Sequence, residues 1–135
     1  MEMAREVILF ENQNCDEASI HFLDNPMMCE MHDKYFGDPS PTDCISFPLK
    51  SQGKDPYRIL GDVFVCPNTA KEYVAIHGGE VYEEVALYIV HGLLHLMGYD
   101  DIDEQDEKKM RAAESRHMQN INRKGLMLKA EEKSC

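Results

Sequence analysis

No run of about 18 apolar residues occurs anywhere in the 135-residue chain, so no membrane-spanning helix is expected. The first residues, Met1 to Glu6, lack the basic head and long apolar middle of a secretory leader, and a cytoplasmic home is expected. Internal repeats, low-complexity stretches and dividing linkers are also missing. The expectation is one domain over residues 1–135, with a polar tail from about 122 to 135. The five cysteines, Cys15, Cys29, Cys44, Cys66 and Cys135, are odd in number and form no C-x-x-C pair. That excludes a disulfide framework or a cysteine-based zinc site, and leaves reduced thiols. Basic charge is scarce: 14 Lys and Arg stand against 25 Asp and Glu, a net charge of −11. Bulk attraction to nucleic acid is therefore excluded, because phosphate affinity rests on Lys and Arg. Neither DNA nor a membrane is an expected partner. Any RNA must be met by a local basic patch or by a partner surface.

The chain does have enough apolar material, 43% of residues, to bury a core without staples. Residues 4–12 are ambiguous between strand and helix. Residues 18–23 read as a strand. Asn25-Pro26 reads as a helix start with Asn25 as cap, and Met27, Met28, Met31 and Tyr35 keep helical spacing up to Gly37. Strands are expected over 43–48 and, after Gly61-Asp62, over 63–66, with a loop at 49–58 and a short helix at 68–76. The strongest element is a mostly buried helix over 80–97, with Glu80, Glu83 and Glu84 near its start and Gly98 as terminator. An amphipathic helix follows over 103–120, placing Met110, Ala113 and His117 or Met118 toward the core, and the tail from Asn122 is expected to fray.

The chemistry is concentrated at the end of the buried helix. His91 and His95 stand four residues apart, so their rings leave one helix face. Two imidazoles so placed suit a single metal ion, and two uncompensated imidazoles in so apolar a helix would be costly. The plainer alternative is a pair of core histidines satisfied by neighbours. Gly98 lets the chain turn back, so that Asp100 or Asp101 can supply a third ligand. Three protein ligands leave one position for water, as catalytic zinc sites do. The residue after the first histidine is Gly92, where H-E-x-x-H proteases carry their general base, which argues against proteolysis.

The string HGLLHLMGYDD at 91–101, Thr42-Asp43-Cys44-Ile45-Ser46-Phe47-Pro48 and Gly61-Asp62-Val63 together resemble the YbeY family of rRNA maturation factors. That family carries H-G-x-L-H-L-x-G-Y-D-H, T-D-V-L-S-F-P and G-D-I in the same order, and the resemblance runs from about residue 17 to about 120. It implies an α+β fold, a small mixed β-sheet packed by several helices with the H-x-x-x-H helix in the core. It also implies one Zn2+ per chain, on His91, His95 and Asp101. The implied activity is a single-strand-specific, metal-dependent endoribonuclease in 16S rRNA 3′-end maturation and ribosome quality control. Its partners would be single-stranded rRNA and the small ribosomal subunit with its proteins. The chain departs from the pattern at three places. Asp101 stands for the family's third histidine, which puts the metal's identity in question. Phe36 stands where an Arg is usual. An N-terminal strand has little room, so residues 4–12 are then the first helix.

Asp100 and Glu84 are candidates for orienting the ligands, Glu84 because it lies seven residues before His91 on the same face, with a solvated first-turn glutamate as its plainer alternative. Thr42, Asp43 and Ser46 are candidates for the cleft wall, with Asp43 also an acid/base candidate or a strand cap. Lys50, Lys54 and Arg58 are the densest basic group and candidate RNA contacts, or else a solvated loop. His21, His32, His77 and His117 are expected to be structural or surface residues. Two other functions fit the same residues: another metal-dependent hydrolase, or a ribosome-assembly factor that keeps the fold with little or no catalysis.

Overall fold

In the computed structural model, which describes residues 2–11, 17–49 and 59–128, five helices surround a small mixed sheet. The elements in chain order are α1 (Glu2–Phe10), β1 (Glu17–Phe22), α2 (Asn25–Phe36), β2 (Cys44–Pro48), β3 (Ile59–Val65), α3 (Pro67–His77), α4 (Val81–Leu96) and α5 (Glu104–Arg123). β3 is central, with β1 parallel on one side and β2 antiparallel on the other. The expected α+β class and small mixed sheet are what is found.

Alternation along β3 explains how both faces of the sheet are covered. Val63 and Val65 are fully buried and join the main core, whereas Phe64 points to the other face, under α2. There Met28, Ile45 and Cys66 form a second small cluster. Near its start β3 carries a bulge: Glu17 pairs with Ile59 and the next residue, Ala18, with Gly61. Gly61 has φ +141°, and a Cβ there would lie 2.3 Å from the Phe47 carbonyl oxygen, so only glycine lets β2 close on β3.

α4 runs through the middle of the molecule. Ile89, Val90, Leu93 and Leu94 are fully buried, each contributing roughly 1.5–3 kcal/mol of transfer free energy for a large side chain. It packs on β2 and β3 and is flanked by α1, α3 and α5. Gly92 makes the contact with the sheet possible, since a Cβ would come 2.5 Å from Val63 Cγ1. The Ser46 hydroxyl donates to the Gly92 carbonyl at 3.1 Å, tying β2 to the helix at that level. The position that holds the base in H-E-x-x-H enzymes thus faces a strand here.

Some boundaries differ from expectation. The cap of α2 is Asp24, whose extended backbone lets Oδ1 accept the Met27 N–H at 3.0 Å. Asn25 is the first helical residue, and its Oδ1 accepts from the Cys66 thiol instead. α5 continues to Arg123 because Asn120 and Ile121 are buried, and Asn120 Nδ2 donates to Glu6 of α1 at 2.8 Å. Beyond the helix, Leu126, Met127 and Leu128 pack against the core where fraying was expected. Residues 2–10 settle as a helix, burying Met3, Ala4 and Val7 at helical spacing.

Candidate metal centre

The last turns of α4 present His91 and His95 on one face, and the chain then reverses. Gly98 takes φ +104°, a left-handed conformation that suits glycine, and the Tyr99 N–H bonds back to the Leu94 carbonyl at 2.9 Å. Two residues later Asp101 comes back over the histidines. The carboxylate of Asp100 accepts the Asp101 N–H at 2.8 Å and holds the turn, and Asp103 caps α5 through the Asp106 N–H at 2.7 Å.

Three donor atoms converge. His91 Nε2 and His95 Nε2 are 3.0 Å apart, and Asp101 Oδ2 lies 3.7 Å and 3.8 Å from them. Ligands about 2.0–2.1 Å from a tetrahedral zinc stand roughly 3.3 Å from one another, so these separations bracket the spacing the ion requires. Among the described residues this is the only trio of His, Cys, Asp or Glu donors with that convergence. The donor chemistry also fits. Each histidine has its Nδ1 beside an acceptor, Glu114 Oε2 at 2.5 Å for His91 and the Tyr99 carbonyl at 3.1 Å for His95. Both rings therefore carry their proton on Nδ1 and aim the Nε2 lone pair at the common point.

Glu114 was not anticipated from the sequence. It is only 5% exposed, on α5, and Arg111 Nη1 donates to both of its oxygens at 2.8 Å. Burial alone would raise its pKa, but the bonds from His91 and Arg111 outweigh that and hold the carboxyl below its ordinary range. The signal lay in the pattern: Met110, Ala113, His117 and Ile121 make a buried stripe, and Glu114 is the charged residue within it. Tyr99 was likewise missed. Its hydroxyl donates to Glu11 Oε1 at 2.9 Å, and Glu11 also receives Arg116 and the buried His117, so α1 and α5 together anchor the loop that carries Asp101.

The three donors lie beside a cleft of about 540 Å³. Thr42, Ser46 and Asp100 line it, as do His91 and His95. Asp43 does not line it; its Oδ1 accepts the Cys44 N–H at 2.7 Å and its carbonyl the Cys66 N–H, so it pins the strand. Glu84 lies beside Tyr88, where its charge adds to burial in raising that hydroxyl's pKa, and no hydrogen bond or ion pair joins it to either histidine. Lys50, Lys54 and Arg58 lie outside the described residues. Cys44 reaches the cleft, but burial, reinforced by Asp43, Glu114 and Asp101, pushes its pKa far up and keeps it a thiol.

The fold and the donor trio define an α+β protein with a metal-binding constellation at the end of a buried helix. The family model described as endoribonuclease YbeY matches residues 1–122. A protein named endoribonuclease YbeY from Protochlamydia amoebophila is 51% identical over 127 residues, covering 94% of this chain and 85% of that one. Its namesake from Chlamydia pneumoniae is 35% identical over 119 residues, covering 85% and 75%. A Thermotoga maritima protein solved in solution shares the fold, with a TM-score of 0.65 at 22% identity over 99% of this chain and 88% of its own. The chain belongs to the endoribonuclease YbeY family.

Proposed function

We propose that the chain is a metal-dependent endoribonuclease that hydrolyses phosphodiester bonds of single-stranded RNA, acting on the 3′ end of 16S rRNA with the small ribosomal subunit as partner. The cytoplasm as its compartment, one domain as its organisation and zinc as its metal belong to the same proposal. The observation that carries it is the convergence of His91 Nε2, His95 Nε2 and Asp101 Oδ2 beside an open cleft, in a member of this family.

In this reading His91, His95 and Asp101 hold the ion. When bound, a zinc ion supplies activation of water near neutral pH, where free water has a pKa of about 15.7, and draws charge from a phosphoryl oxygen. Glu114 and the Tyr99 carbonyl keep the two rings in the ligating tautomer. Ser46 and Gly92 hold the cleft wall against α4. Asp101, one of the donors, would bring a negative charge to the ion, and its hard oxygen would favour harder, oxygen-preferring metals more than a third imidazole would.

The test is cleavage of a labelled single strand and of the same sequence as a duplex, before and after chelation. The reading expects single-strand cleavage that chelation abolishes and zinc restores. Cleavage indifferent to chelation, or equal on duplex, would overturn it.

A further inference from the structure

The cleft contains a feature that metal chemistry does not use. Phe36, the last residue of α2, lines it and is 58% exposed. Its ring is braced rather than loose: it stacks on Phe47 of β2, with centroids 6.4 Å apart and planes 23° apart. Phe47 is in turn wedged by Tyr35 at 5.0 Å and by Phe64 at 5.8 Å. The ring of His32 stands 5.6 Å from Phe36 and also lines the cleft. His32 is itself fixed, since its Nδ1 donates to the Ser40 carbonyl at 2.8 Å, while Asp38 holds Ser40 through its N–H and hydroxyl. Gly37 ends the helix immediately after Phe36, in a left-handed conformation with φ 69°.

A half-exposed phenyl ring held on a rigid aromatic base beside a polar reaction centre calls for an apolar, planar occupant. Among the described residues that line the cleft, none is Lys or Arg. In a chain of net charge −11, those described residues offer backbone phosphates no cationic partner. Bases of a single strand provide the planar surface, and stacking on aromatic side chains is tolerant of sequence because every base has a π-face.

We infer that Phe36, braced by Phe47 and flanked by His32, is a base-stacking subsite that holds an unpaired nucleobase of the RNA next to the metal centre. The inference rests on the endoribonuclease reading of the cleft and adds how the substrate is gripped. A base in a duplex keeps its faces covered by its neighbours, so the subsite also favours unpaired RNA over paired RNA.

The chain has no tryptophan, so Phe36→Trp introduces a single fluorescent reporter at the subsite. The full-length protein is titrated with a short, uncleavable 2′-O-methyl oligoadenylate and with a matching strand of abasic residues. Phe36→Ala is expected to weaken oligoadenylate binding about tenfold, within the range found for losing one base stack. Phe36→Trp is expected to bind as the wild type does, with its fluorescence quenched by oligoadenylate and not by the abasic strand. Unchanged affinity in Phe36→Ala, or equal quenching by the abasic strand, would overturn the subsite. If the wild type cleaves RNA while Phe36→Ala binds normally, the stack alone fails. If the wild type neither binds nor cleaves RNA, the endoribonuclease reading fails and takes the stack with it.

Discussion

His91 Nδ1 and Glu114 Oε2 lie 2.5 Å apart, joining a histidine of α4 to a buried carboxylate of α5. The pair fixes which nitrogen of His91 faces the cleft. In Glu114→Gln the amide can meet Nδ1 with its N–H2 as easily as with its oxygen, and the tautomer is no longer enforced. Metal affinity is expected to fall about 10–100-fold, as for other partners of metal-bound histidines, with helix content unchanged. Competition against a calibrated chelator reads the first and circular dichroism the second.

Gly92 is expected to tolerate no side chain. Its Cβ position lies 2.5 Å from Val63 Cγ1 and 3.2 Å from Ser46 Oγ, so even alanine must push α4 off the sheet. Gly92→Ala should cost about 1–3 kcal/mol, the usual scale of overpacking in a close-packed core. Thermal unfolding checks this, and an unchanged Tm would show that the helix and sheet are not packed as described.

Glu11 gives the protein an acid-sensitive joint. Burial works to raise its pKa, but bonds from His117, Arg116 and Tyr99 outweigh burial and set it below the ordinary 4.5. A carboxyl with a depressed folded-state pKa contributes stability above its unfolded pKa and loses it as pH falls through the folded value. Glu11 therefore stabilises the fold at neutral pH, and the contribution drains away below about pH 4.5. Glu11→Gln should be less stable than the wild type at pH 7, and the gap in Tm should narrow as the solution is acidified through that range.

How much of this was legible in the sequence depended on whether a residue's role was local. His91 and His95 declare themselves by helical spacing, and Gly98 and the acidic residues after it follow within one turn. Most strands and helices were legible from their own period, and α4 was the clearest because it is apolar on nearly every side, whereas residues 4–12 were too short a run to tell helix from strand and β3 begins at Ile59, ahead of the expected 63–66. Glu114 and Tyr99 were not, since their partners lie 23 residues away for Glu114 and 88 for Tyr99. Glu84 shares the helical phase of a ligand's neighbour, but its charge acts on Tyr88, one turn on, and not on the histidines. Asn25 read as a cap because Pro followed it; Asp24 wins because its backbone is extended and Asn25 is drawn toward Cys66.

The central claim is that His91, His95 and Asp101 together hold one metal ion. Elemental analysis of the purified wild type beside Asp101→Ala tests it most directly. About one zinc per chain is expected in the wild type and little in the mutant, because two imidazoles alone make a weak site. A wild type without metal, or a mutant that retains it in full, would contradict the account.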